Sequence, residues 1–178
     1  MLILKSASPR RREILQNLRL NFQVNPSHVN EDLEPGELPL SYLKRVTSSK
    51  LETEKAVLDN VYIASDTIVV LGSQILGKPA DFAEGMKILS VLSGKTHSVF
   101  SGLAILRNGE ILYDYDETKV EFKPWGEKEI TSYLNESKPY DKAGGYGIQD
   151  EGSPVLRYNG SYSNVMGFPL RKFYQFYE

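Results

Sequence analysis

The chain has 178 residues, which suits one ordinary domain or two small lobes sharing a core, because a chain of that length buries roughly 70% of the surface it exposes when unfolded. It contains no cysteine, which excludes a disulfide framework, a zinc ribbon, an iron–sulfur cluster and a thiol nucleophile, and its two histidines, His28 and His97, cannot form a three-histidine metal site. With 21 Lys+Arg against 23 Asp+Glu the net charge is -2, so the chain lacks the positive field of a nucleic-acid wrapper and must hold any polyanion locally.

The opening "MLILKSASPRRRE" carries a short apolar run before charge appears, too short for a signal peptide or a membrane span, so the expected location is the cytoplasm and no membrane partner is expected. Leu2 to Leu4 reads as a buried strand. "SASPRRREIL" then places Ser8 at a helix N-cap and Pro9 at the first helical position, with the helix running to about Leu18. Phe22 to Asn25 is a second short strand, and "PSHVNEDLEPGELP" is a loop. Leu40, Leu43, Val46 and Val57 recur at helical spacing, predicting an amphipathic helix from about 40 to 58 with Lys50 on its apolar stripe.

Val61 to Leu71 is apolar almost throughout, as a central strand covered on both faces is. Gly72 and Gly77 bracket a tight return. Asp81 to Leu92 fits a helix with Gly94 beyond its end, and "RNGE" joins two alternating stretches, His97 to Leu106 and Ile111 to Phe122, with a type I′ hairpin signal. "GEKEITSYLNE" is a short helix, "DKAGGYGIQDEGSP" a glycine-rich loop, Val155 to Tyr158 a strand, and Val165 to Tyr177 a closing aromatic helix. Strands mixed with helices around an antiparallel hairpin define an α/β protein with a mixed, twisted sheet.

"GSQILGKP" matches a phosphate-binding P-loop until Pro79 stands where a Ser or Thr hydroxyl is needed for magnesium. Gln74 to Leu76 reads instead as a strand returning from a turn at Gly72, with Lys78 just beyond it. Asp66 is the anomaly of the neighbouring strand. Asp is depleted in strands, and a buried carboxylate is costly unless paired or holding a cation. Either Asp66 bonds a neighbouring backbone amide or it opens into a cleft to bind metal or water; Ser65 and Thr67 beside it favour the wet alternative. "SPRRR" supplies the matching half, a helix N-terminus crowded by Arg10, Arg11 and Arg12, whose forks suit phosphate oxygens. The bland alternative is a solvated face paired with Glu13.

Five blocks, "SASPRRREIL", "SDTIVVLGSQILGKP", "LSGKTHSVFSGLAI", "DKAGGYGIQDEG" and "NGSYSNVMGFPL", resemble in order the signatures of the Maf family of nucleoside triphosphate pyrophosphatases. The resemblance covers nearly the whole chain and implies a single Maf-like domain over residues 1–178, in a Maf/Ham1-like α/β fold of two lobes around a central cleft. It implies a divalent metal, Mg²⁺ or Mn²⁺, hydrolysis of a nucleoside triphosphate to monophosphate and pyrophosphate, a cytoplasmic location and often a homodimer. The family's catalytic aspartate falls on Asp66, its phosphate-binding residues on Ser6, Ser8, Arg10 and Arg11, and the remaining cleft residues on Glu31, Lys50 and Lys78. Asp66 and Glu31 are the implied metal ligands, with Asp66 either ligand or general base. The subfamily that prefers dTTP and UTP carries Arg, Thr and Gln at three selecting positions, which match Arg11, Thr67 and Gln149. The alternatives are a pyrophosphatase for 7-methyl-GTP or another modified nucleotide, and a non-catalytic nucleotide-binding regulator of cell division.

Lys5, Ser65, Gly145 and Phe168 depart from the residues many members carry, and Gly145 bears on the loop that holds Gln149. A glutamine offers both donor and acceptor to a pyrimidine edge. Tyr146 is expected to pack rather than stack on a base, His28 and His97 to be structural, and Phe168, Phe173, Phe176 and Tyr177 to be core or dimer contact.

Overall fold

The structure, a computed structural model, describes residues 1–52, 54 and 59–177. In chain order the elements are β1 (Leu2–Leu4), α1 (Pro9–Asn17), β2 (Phe22–Val24), α2 (Pro39–Glu52), β3 (Val61–Leu71), β4 (Gln74–Leu76), α3 (Phe82–Leu92), β5 (Thr96–Arg107), β6 (Glu110–Phe122), α4 (Glu127–Ser137), a 3₁₀ turn (Ala143–Gly145), β7 (Val155–Asn159), α5 (Tyr162–Val165) and α6 (Leu170–Tyr177). The strands form one seven-stranded mixed sheet in the order β2-β1-β3-β5-β6-β7, with β4 pairing β3. β1 runs parallel to both β2 and β3, while β3–β4 and β6–β7 are antiparallel.

Local chemistry accounts for most of these boundaries. Ser8 caps α1 with Pro9 in its first turn, and Asp81 caps α3 by accepting the Glu84 N–H. At the β5–β6 turn Asn108 and Gly109 have φ 54° and 82°, the positive pair that a type I′ turn requires. The "GSQILGK" stretch is a hairpin: Gly72 turns at φ 63°, and Val69 pairs with Leu76 across it, so no helix N-terminus faces the glycines.

Two expectations need correction. The long helix begins at Pro39, and its buried stripe is Leu43, Val46, Thr47, Lys50 and Leu51; Leu40 lies at the exposed start, while Val57 and the stretch 55–58 fall outside the described residues. The C-terminal helix is split in two. Gly167 at φ 107° and Pro169, which disfavours helical backbone at Phe168, separate α5 from α6.

The chain divides into two compact units, one of residues 1–67, 101–116 and 167–178, the other of residues 68–100 and 117–166. In the first, Ile3, Tyr62, Ala64, Ala104 and Leu106 of the sheet pack with Leu51 of α2. In the second, Val69, Val99 and Phe122 of the sheet pack with Leu89 of α3 and Leu134 of α4. α3 and α4 approach closely at Gly85, where a Cβ would lie 2.9 Å from Leu134. Phe168 and Phe173 are core residues of the first unit, their rings 5.5 Å apart, whereas the side chain of Tyr177 is outside what is described. No helix among the described residues is long and apolar enough to cross a membrane.

Candidate active site

The first unit gathers Ser6, Ser8, Arg10, Arg11, Glu31, Lys50, Asp66 and Thr67. Asp66 stands mid-strand in β3, and its Oδ1 accepts a hydrogen bond from Lys50 Nζ at 2.8 Å. The same ammonium lies 2.9 Å from Glu31 Oε1. Lys50 is only 5% exposed, which explains a lysine on the buried stripe of α2: it neutralises a carboxylate that β3 could not otherwise bury. Two carboxylates share one cation, so the cluster keeps a net negative charge.

Glu31 reaches the cluster from the loop after β2. Its backbone carbonyl accepts the Tyr42 hydroxyl at 2.7 Å, which ties that loop to α2. Burial first, then the negative charges of Asp66 and Glu31, push the Tyr42 phenol up to about 12, so it stays a donor at neutral pH.

The arginine triplet separates by position on α1. Arg12 is exposed, Arg10 half-buried and Arg11 buried. The Arg11 guanidinium donates to three neutral acceptors: Nε to the Gly167 carbonyl at 2.8 Å, one terminal nitrogen to Ser6 Oγ at 2.9 Å, and the other to Thr67 Oγ1 at 3.3 Å. Its pKa is lowered, chiefly by burial, with Asp66 and Glu31 opposing and the neighbouring Arg10 reinforcing the effect. A guanidinium held by dipoles rather than by a direct carboxylate partner retains its field for an anion. Ser8 caps α1 at this point, its Oγ 3.5 Å from the Arg11 N–H, and its own N–H donates to Ser6 Oγ at 3.3 Å. The turn between β1 and α1 is therefore a polar nest at a helix N-terminus.

Three contributors had no sequence assignment. Ser101 of β5 hydrogen-bonds Thr67 Oγ1 at 2.8 Å, and Ser65 Oγ donates to the Gly167 carbonyl at 3.1 Å beside Arg11 Nε. Tyr42 is the other. Ser101 carried a readable signal, a small polar residue inside "VFSGLAIL", the same anomaly that marks Asp66. The role of the Gly167 carbonyl had none, since a backbone oxygen leaves no trace in residue type. Of the departures, Lys5 is buried and pairs with Glu54 at 2.6 Å.

Lys78 and Gln149 belong to the second unit. Both are exposed, Lys78 just after β4 and Gln149 in the loop after the 3₁₀ turn, and neither hydrogen-bonds or ion-pairs with another described residue. Tyr146 is 5% exposed and packs edge-on against Phe122 and His97, as expected of a packing residue; His97 is buried with it and His28 is exposed. Gly145 has φ 68°, and a Cβ there would lie 3.3 Å from Pro79, so glycine suits this backbone.

The chain belongs to the Maf family: the family model described as Maf-like protein matches residues 1–178. It is similar to the dTTP/UTP pyrophosphatase of Leptospira biflexa, with 51% identity over 97% of this chain and 90% of that protein. The proteins of the same description from Leptospira borgpetersenii and Thermosipho africanus are 44% and 41% identical, covering 100% and 96% of this chain and 95% and 88% of theirs. Among solved structures, a HAM1 protein from Coxiella burnetii aligns over 68% of this chain and 72% of its own, with a TM-score of 0.47 and 19% identity.

Proposed function

We propose that this chain is a nucleoside triphosphate pyrophosphatase of the cytoplasm that takes dTTP and UTP, adding water at the α-phosphorus and releasing the monophosphate and pyrophosphate. The observation that carries this is the pairing, within one unit, of a carboxylate held on an ammonium (Asp66–Lys50) with a buried guanidinium at a helix N-terminus (Arg11). The Arg11 bond to Thr67, the residue after Asp66 in β3, supports the reading that the two charges act on one substrate. The names and coverage of the curated relatives support the substrate class.

A triphosphate brings about four negative charges, and its cleavage depends on positioning and charge neutralisation more than on covalent chemistry. Arg10 and Arg11, with the amides of the Ser6–Ser8 turn, supply donors for phosphate oxygens. Asp66 Oδ1 is engaged by Lys50, while Oδ2 accepts no hydrogen bond from the described residues and is the atom that takes the proton from the attacking water. By family position Lys78 is assigned to phosphate and Gln149 to the base. The chain works as one catalytic domain over residues 1–178.

No group of three or more metal-binding side chains occurs among the described residues. Glu31 and Asp66 nonetheless fit a hard divalent cation, Mg²⁺ or Mn²⁺. Two carboxylates against one ammonium leave a negative charge to neutralise, and such ions often use one or two carboxylates and draw their other ligands from water and phosphate. When bound, the ion would acidify water and offset phosphate charge.

Asp66→Asn keeps the shape and removes the charge. It is expected to lower kcat for UTP at least about a hundredfold, with folding retained by circular dichroism. Near-normal turnover, survival of activity in excess chelator, or preference for 7-methyl-GTP in a triphosphate panel would each refute its part of the reading.

A further inference from the structure

An exposed side chain that discriminates between bases has to be held from behind, because its own contacts do not fix it. Gln149 is such a side chain, yet the residues around it are tied to buried groups of the second unit. Tyr133 of α4 is 3% exposed and spans the turn: its hydroxyl donates to Asp150 Oδ2 at 2.6 Å and accepts the Gly147 N–H at 3.0 Å. The turn is closed by the Asp150 N–H on the Gly147 carbonyl, which also accepts Ser153 Oγ at 2.8 Å. One residue earlier, the Tyr146 hydroxyl is hydrogen-bonded to His97 Nε2 of β5 at 2.7 Å, and both rings pack on Phe122. Only Ile148 and Gln149 lie between the points held by the Tyr133 hydroxyl.

We propose that Tyr133 is a positioning residue for base selection: its single hydroxyl pins Gly147 and Asp150 and thereby sets where the Gln149 amide sits. The proposal rests on the reading of Gln149 as the base selector. A phenylalanine at this position retains the ring packing on Trp125 and loses both bonds, which loosens the turn to its remaining ties, the Gly147 carbonyl bonds and Lys142 at 3.7 Å from Asp150 Oδ2, without emptying the core. The consequence is loss of discrimination rather than loss of chemistry, since no atom of Tyr133 is assigned to the phosphates.

The test compares kcat/KM for UTP over CTP, which differ at the base edge, in the unsubstituted enzyme, Tyr133→Phe, Gln149→Ala and the double variant. Gln149→Ala and Tyr133→Phe should each lower the ratio, Tyr133→Phe by about tenfold, mainly through KM for UTP with kcat changed by less than about threefold. The double variant should fall no further than the worse single one, because both act on one contact. A lowered ratio in Gln149→Ala with an unchanged ratio in Tyr133→Phe overturns the positioning role alone. An unchanged ratio in Gln149→Ala overturns the selector reading, and the positioning role with it. Should Tyr133→Phe yield no folded protein, Gly147→Ala replaces it: its Cβ would lie 2.5 Å from Asp150 Oδ1 and must displace that carboxylate, so an unchanged ratio there refutes the proposal equally.

Discussion

Replacing Lys50 by methionine removes the ammonium shared by Asp66 and Glu31 while keeping the apolar stem that fills the stripe of α2. At 2.8 Å and an effective dielectric near 20, the bare attraction between Lys50 and Asp66 is about 6 kcal/mol, and desolvation of the ammonium cancels a large share of it. What remains after the substitution is a carboxylate only 13% exposed, with no directly paired cation and Glu31 close by. Stranding one partner of a buried pair costs about 3–5 kcal/mol; because Asp66 keeps some access to water we take the lower end, about 3 kcal/mol. The Glu31 contact adds little, since its side chain is 43% exposed. At about 2–4 °C per kcal/mol for a chain of this size, Tm falls by about 6–12 °C. Calorimetry in chelator-treated buffer at low salt measures this, and adding Asp66→Asn, which deletes the stranded charge, should restore at least half of the loss. A drop below about 2 °C, or no recovery in the double variant, would refute the account of why a lysine lies on the buried face of α2.

Gly167→Ala should lower Tm and raise KM for UTP together. The backbone there sits at φ 107°, a conformation costing about 1–3 kcal/mol for an L side chain, and its Cβ would lie 3.2 Å from Thr67 Oγ1, beside the carbonyl that holds Arg11. Steady-state kinetics and melting curves check both effects, and an unchanged KM would separate the Gly167 carbonyl from Arg11. His97 makes stability depend on pH. Burial depresses it from 6.5 in the unfolded chain to about 4, so the unfolded state binds the extra proton and stability falls as pH drops from 6.5 towards 4. Between pH 7 and 5 this amounts to about 2 kcal/mol by linkage, measurable in urea titrations, and His97→Asn should flatten that part of the profile.

Much of the fold was written locally. Hydrophobic periodicity and turn chemistry act over a few residues, which is why Val61–Leu71 as the central strand, the Asn108–Gly109 turn, the Ser8 cap and the rejection of a P-loop at Gly72–Lys78 all followed from spacing and residue type. The split of the C-terminal helix was missed despite Gly167 and Pro169, because the aromatic pattern of α6 outweighed them. The beginning of the buried stripe on α2 was misplaced because Leu40 shares its periodicity without its burial.

The sequence by itself determined the family and the chemical inventory: an acid inside a strand, a capped helix start rich in arginine, and no thiol or histidine set for other chemistry. Only the tertiary structure decided the partnerships, because pairing between residues far apart in the chain leaves no local trace. Lys50 became the counter-ion of Asp66, Arg11 rather than Arg12 turned inward, the Gly167 carbonyl became its anchor, and the Tyr133 hydroxyl held both ends of the turn that carries Gln149. Each of these is a buried polar group that must find a partner as water is removed, and packing alone selects which partner is within reach.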